Sequence, residues 1–455
     1  MSSLLVRNAL VLVTMDDGGT ETAGGGLLAE NGWITQVGTS SDLPDTADVV
    51  IDADGMVVMP GLINTHHHLY QTLTRAVPEA QDADLFTWLV ALYPLWSRLT
   101  PGSVRDATTL GLAELALSGC TTAFDHQYLW PNGSSIDDQF EGAEQVPIRF
   151  MASRGSMSLG QSSGGLPPDS IIESHESILR ASQDAVTRWH DPDPGSMRQV
   201  VLAPASPFSV TGELMKESAA LARELGVRLH THIAETIDEE EFCLERFGAR
   251  PVEYAERLDW LGDDVWFAHG VHIAADESER MARTKTGVAH CPTSNMRLAS
   301  GIAPIARYRQ QGVPVGLGVD GSASNDSSNL LAEVRQAMLV ARLAVSPGVG
   351  MAGSLMSARD ALRMATRGSA EVLGRSDIGS LEVGKACDLI AIDVTSRLGD
   401  SGFADPVAGL VFGSRSGVDW SVVHGRVVVE RGQVVGLDSD ELRNRHTSWA
   451  RQLLA

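Results

Sequence analysis

Cysteine is scarce. Cys120, Cys243, Cys291 and Cys387 are the only four in 455 residues, and no two form a C-x-x-C pair. That pattern fits a reducing cytoplasm better than a disulfide framework. Basic residues are outnumbered, and the formal net charge of -23 argues against nucleic acid or an anionic membrane surface as a partner. No apolar run approaches the about 20 residues that a bilayer-spanning helix requires. The segment Met1–Arg7 lacks the basic and apolar regions of a signal peptide. Short repeats, charge blocks and low-complexity tracts are also missing. What is present is a large globular chain, 43% hydrophobic and longer than one usual domain. A cytoplasmic protein is the expectation, and the charge says little about its substrate.

The first stretch is β-rich. Residues 4–13 are aliphatic and β-branched, a glycine turn follows at Ala23–Gly26, and Leu27–Val37, Val49–Ile51 and Met56–Met59 continue the pattern. From residue 60 short apolar runs alternate with helical patterns such as Ser103–Leu117, Glu213–Leu225 and Leu330–Leu343. Strand and helix in alternation imply parallel strands with crossover helices. The candidate strands are Gly61–Thr65, Thr121–Asp125, Ile148–Ser153, Val200–Pro204, Arg228–His232, Val265–His269, Gly287–His290 and Val315–Asp320. They suit a (β/α)8 barrel, whose chemistry gathers at the C-terminal strand ends. An open doubly wound sheet would not bring so many strands to one point. After a helical stretch at Ala358–Leu373 the β character returns at Ile378–Lys385, Asp388–Asp393 and Val418–Val429. The expected architecture is an α/β barrel over 60–374. Beside it stand a small β-sandwich from 1–59 plus 375–440 and a terminal helix at 441–455.

The chemistry concentrates at strand ends. Met56–Met59 leads into Pro60-Gly61-Leu62-Ile63-Asn64-Thr65-His66-His67-His68. Residues two apart on a strand share a face, so His66 and His68 can point at one metal ion while His67 points away. The fifth candidate strand ends His230-Thr231-His232-Ile233-Ala234-Glu235. His230 and His232 share a face, and spacing does not say which one ligates. Glu235 lies where the chain can turn its carboxylate toward the same point. His269 and Asp320 close the sixth and eighth candidate strands. A histidine at a strand end is ordinarily structural, but recurrence on four strands favours a metal site.

These residues resemble the amidohydrolase superfamily, in its cytosine, guanine and S-adenosylhomocysteine deaminase-like branch. The resemblance rests on Pro60-Gly61 with His66-x-His68, His232-x-x-Glu235, Ala268-His269, His290-Cys291-Pro292-x-Ser294-Asn295, Gly318-x-Asp320 and the tail Gly379–Leu389. It implies a barrel with a sandwich made of both chain ends. It also implies that His66, His68, His232 and Asp320 bind one divalent metal, zinc in the first place, with iron sharing the same ligands. Glu235 and His269, with Asp320, become the catalytic groups. Binuclear relatives use a bridging carboxylated lysine, and no lysine lies in 148–158 or 200–209, so one metal is expected. The other zinc deaminase class, with H-x-E and P-C-x-x-C, does not fit.

Substrate-contacting candidates are less sharply marked. Gln71, three residues beyond His68, can donate to and accept from a purine or triazine edge, or it can be a solvated loop residue. Trp88 can wall a flat ring or pack in the core. Arg154 can bind a substrate carbonyl or a helix end. His126 can face the pocket, while His272 and His290 read as structural. Segments Ser153–Gly160, Gln161–Pro168 and Gly321–Asp326 look most like 8-oxoguanine deaminases and also resemble s-triazine hydrolases. The expected reaction is hydrolytic deamination of 8-oxoguanine to urate and ammonia, with guanine, isoxanthopterin and s-triazines as alternatives. A silent scaffold would have lost a ligand or Glu235, and neither is lost. The resemblance also implies a homo-oligomer.

Overall fold

In the computed structural model the described residues are 2–344, 355–396, 399, 402–413, 415 and 417–455. The N-terminal strands are β1 (Ser3–Val13), β2 (Glu21–Glu30), β3 (Trp33–Thr39), β4 (Val49–Asp52) and β5 (Met56–Pro60). The barrel strands are β6 (Leu62–Asn64), β7 (Cys120–Asp125), β8 (Arg149–Ser156), β9 (Arg198–Pro204), β10 (Leu229–Ile233), β11 (Val265–His269), β12 (Gly287–His290) and β13 (Val315–Leu317). The C-terminal strands are β14 (Leu389–Asp393), β15 (Trp420–Val423), β16 (Arg426–Glu430) and β17 (Gln433–Val434).

Strands β6 to β13 form a closed parallel barrel, each paired with the next, and Leu317 of β13 meets Asn64 of β6 to close it. Every residue of β6, β7, β8, β11, β12 and β13 is buried. That is why these runs lack the apolar–polar alternation of a half-exposed strand: helices cover the outside and side chains fill the inside.

Both chain ends build one nine-stranded sheet in the order β17-β16-β15-β14-β5-β1-β2-β3, with β4 on β1. The run Leu27–Val37 is not one strand, because Asn31 and Gly32 adopt positive φ and turn β2 back into β3. The glycines at 24–26 lie within β2, not in a turn. A Cβ at Gly26 would stand 2.3 Å from the Val6 carbonyl oxygen, so close approach of β1 accounts for the small residue there.

Strand β5 runs directly into β6 through Gly61, and the sheet therefore feeds the histidine cluster. A Cβ at Gly61 would sit 2.2 Å from Thr121. Sheet and barrel are also tied by a buried bidentate pair, Arg149 Nε to Asp388 Oδ2 at 2.6 Å and Nη2 to Oδ1 at 3.0 Å. The terminal helix Ser439–Leu454 is capped by Asp438, which accepts from the Glu441 amide. Among the described residues no helix is long and apolar enough to cross a membrane.

Candidate active site

The C-terminal strand ends bring His66, His68, His232, Glu235, His269 and Asp320 to one place. His66 and His68 lie just beyond β6, His232 is the fourth residue of β10, His269 ends β11, and Asp320 stands three residues past β13. His66 Nε2 and His68 Nε2 are 3.3 and 3.4 Å from Asp320 Oδ1. His68 Nε2 and His232 Nε2 are 3.2 Å apart. His67 takes no part in the cluster.

Proton placement follows from the neighbours. His68 Nδ1 donates to the His126 carbonyl at 2.5 Å, and His232 Nδ1 donates to the Ala205 carbonyl at 2.6 Å. A carbonyl can only accept, so both Nε2 atoms carry lone pairs, and these face each other. His66 Nε2 is likewise buried without a hydrogen-bond partner. Three lone pairs and a carboxylate converging in a buried volume fit a cation. Without one they would be a costly set of unmet polar atoms.

Left-handed backbone turns aim the remaining groups. His269 and Asp320 have φ of 69° and 66°, and Ala234, before Glu235, has 56°. L residues adopt such angles at a cost of about 1–2 kcal/mol each. The turn at Ala234 is held by Glu239, whose carboxylate accepts from the Ala234 and Glu235 amides at 2.8 and 2.9 Å. His269 Nδ1 donates to Asn295 Oδ1 at 3.0 Å, and its Nε2 stands 3.4 Å from Glu235 Oε2.

Burial pushes the Glu235 carboxyl up to about 7, with His269 pulling it down and the Asp320 charge pushing it up. Burial opposes charge on His269 too, but Glu235 and Asp320 overcome it and raise its pKa. Burial would raise Asp320 as well, yet the close approach of His66, with His269 and His68 around it, holds it well below the usual carboxylate range. The site thus presents a carboxylate, an acid poised near neutrality and an imidazole whose protonated form the neighbouring carboxyls favour.

These groups form one wall of a cavity that opens to solvent. Leu85, Trp88, Leu89, Phe208 and Leu298 supply apolar surface, while Gln71, Tyr128, Ser206, Ser209 and Ser324 supply polar atoms. Trp88 is anchored by its indole N–H, which donates to the Ala323 carbonyl at 3.2 Å. Gln71 is fully buried, and neither of its amide atoms has a partner. Its oxygen rests against Gly321, where a Cβ would come within 1.9 Å.

Arg154 does not line this cavity, contrary to expectation. Its guanidinium donates to Glu173 Oε1 at 2.7 Å and lies over the Trp130 ring, so ion pairing and stacking occupy it outside the pocket. His126 also stays out. It stacks on His232 at 4.8 Å and donates from Nε2 to the Ala203 carbonyl. His272 bonds the Ser300 carbonyl, and His290 is buried behind the site. Sequence reasoning missed Tyr128, Phe208 and the serines at 206 and 209. Tyr128 alone carried a signal, two residues past His126 on the loop after β7.

A profile of the Amidohydrolase family matches residues 57–428. An 8-oxoguanine deaminase of Pseudomonas aeruginosa is 47% identical, with 100% of both chains covered. Hydroxydechloroatrazine ethylaminohydrolase of a Pseudomonas species is 38% identical, over 97% of this chain and 94% of that one. An atrazine chlorohydrolase of Arthrobacter aurescens, solved in complex with zinc, superposes with a TM-score of 0.93 at 34% identity, over 98% of this chain and 100% of that one.

Proposed function

The chain belongs to the amidohydrolase family and is a hydrolase acting on C–N bonds, and from that premise we propose that it is a mononuclear zinc aminohydrolase. Its substrate in this reading is a purine-like ring, 8-oxoguanine first, with urate and ammonia as products. The observation that carries the proposal is the buried cluster of His66, His68, His232 and Asp320, whose His68, His232 and Asp320 line the cavity together with Glu235 and several apolar side chains. The 47% identical 8-oxoguanine deaminase supports the choice of ring.

His66, His68, His232 and Asp320 would hold the metal. When bound, such an ion makes hydroxide available near neutral pH. Asp320, ionised, accepts the proton of the attacking water. Glu235, with a pKa near neutrality, gives a proton to the ring nitrogen beside the attacked carbon, which then accepts the oxygen. His269, oriented by Asn295, stabilises negative charge developing on that oxygen. A proton passed on by Asp320 or Glu235 lets the exocyclic nitrogen leave as ammonia. Water is consumed, the C–N bond breaks and a ring carbonyl forms. Gln71 binds the ring's amide edge, which answers its unpaired donor and acceptor, and Trp88 packs on the ring.

A second reading, an aminotriazine or pterin as substrate, uses the same residues and is favoured by the 38% identical ethylaminohydrolase. Ammonia release from zinc-loaded protein tests both, on 8-oxoguanine, guanine, isoxanthopterin, cytosine, adenosine and an amino-s-triazine. Preference for 8-oxoguanine is expected. A triazine or pterin winning moves the substrate assignment, and no turnover on any, with no stoichiometric metal, removes the enzymatic account.

A further inference from the structure

His230 precedes His232 by two residues on β10 and is fully buried. Its Nδ1 lies 3.0 Å from the Trp266 carbonyl oxygen and its Nε2 2.9 Å from His66 Nδ1. The ring packs on the Trp266 indole at 4.6 Å and against the Phe124 ring at 4.8 Å. Among the described residues no carboxylate lies within ion-pair distance of it.

These contacts determine where the protons sit. The Trp266 carbonyl can only accept, so His230 carries its proton on Nδ1. In those apolar surroundings the ring is neutral, and its Nε2 is a lone pair. The 2.9 Å contact is a hydrogen bond only if His66 donates from Nδ1. His66 Nε2 is then bare and turned toward Asp320, where it has no other partner.

We propose that His230 is a positioning residue of the metal centre, holding the His66 proton on Nδ1 so that Nε2 stays free to ligate. The inference rests on the reading of His66 as a ligand. It also isolates one weak point. His68 and His232 are oriented by backbone carbonyls, which no substitution removes, whereas His66 depends on a side chain. Partners of this kind commonly set metal affinity by about 10–100-fold.

The test is zinc affinity of the purified full-length protein by chelator competition, with far-ultraviolet circular dichroism as the folding control. His230→Phe keeps a ring against Trp266 and Phe124 but offers His66 no acceptor. His230→Gln loses the ring but places an amide oxygen near the position of Nε2. The expected order is wild type, then Gln within about threefold, then Phe weaker by about 10–100-fold. A packing role alone gives the reverse order, and either that reversal or wild-type affinity in the Phe protein overturns the proposal. Should the Phe protein not fold, the Gln protein decides: zinc retained supports the proposal, and zinc lost from an intact fold ends it. A wild-type protein that takes up no divalent metal overturns the metal reading itself, a result visible before any variant is compared.

Discussion

Glu235 and Gln71 are both buried polar side chains, yet they owe their state to different causes. Glu235 has charged neighbours and a pKa near 7. Replacing it with Gln keeps the shape and removes the proton, so turnover is expected to fall by about 10²–10⁴-fold while zinc content stays stoichiometric. Turnover within tenfold of wild type would take Glu235 out of the mechanism. Gln71 instead has a buried amide with no partner, a state that costs about 1–3 kcal/mol. Gln71→Leu is therefore expected to leave the melting temperature unchanged or raise it, while KM rises about tenfold. A fall in stability with KM unmoved would mark Gln71 as structural. Arg154 should behave in the opposite way. Its loss breaks the Glu173 pair, so Arg154→Gln is expected to cost about 1–3 kcal/mol in a denaturant titration with KM unaltered.

At the scale of elements, the terminal helix Ser439–Leu454 bears on the substrate pocket although it contributes no lining residue. His446 Nε2 lies 2.9 Å from Thr72 Oγ1, next to Gln71, and Trp449 Nε1 donates to Asp106 Oδ2 at 2.9 Å. The helix thus clamps the short turn Leu69–Thr74 that carries Gln71. A chain ending at Leu437 is expected to retain zinc and lose substrate affinity severalfold. Unchanged KM in that truncation would show the turn to be held by the barrel alone. The barrel strands were legible because burial on both faces writes itself as short apolar runs, and the observed limits differ from the expected ones by at most three residues. Strand β2 was not legible, since Gly24–Gly26 read as a turn until the neighbouring β1 showed why side chains are excluded.

For the whole molecule, the notable store of energy is a set of buried carboxyls that are not themselves among the proposed ligands. Burial, working against the amides they accept from, pushes Glu239 up to about 8. The same cause pushes Glu333 and Asp125 up to about 7. Each is raised above its unfolded value, so between about pH 4 and 8 the folded state holds protons that the unfolded chain has released. Stability from these groups is full below pH 4 and declines as pH rises through that window. Denaturant titrations at pH 5 and pH 8 should show the decline, and Glu333→Gln should flatten it. A variant with the same slope as wild type would refute Glu333 as a contributor.

Residue order by itself determined the reaction class, the barrel and the cluster of candidate ligands. The barrel and the cluster are local properties, since a strand's buried run and the polar residue at its end are adjacent in the chain, and the reaction class followed from the resemblance those residues carry. Strand spacing alone could not choose between His230 and His232, because both point to the same side of β10, and only the resemblance named His232. The fold sets the two at different depths, with His232 beside His68 and His230 behind His66. Residue order could not exclude Arg154 from the pocket or admit Phe208 and Ser209, since those positions depend on loops from different strands meeting in space. Nor could it reveal which imidazole nitrogen carries the proton. That is decided by carbonyl groups of Ala205, His126 and Trp266, which every residue possesses and only the tertiary fold can aim.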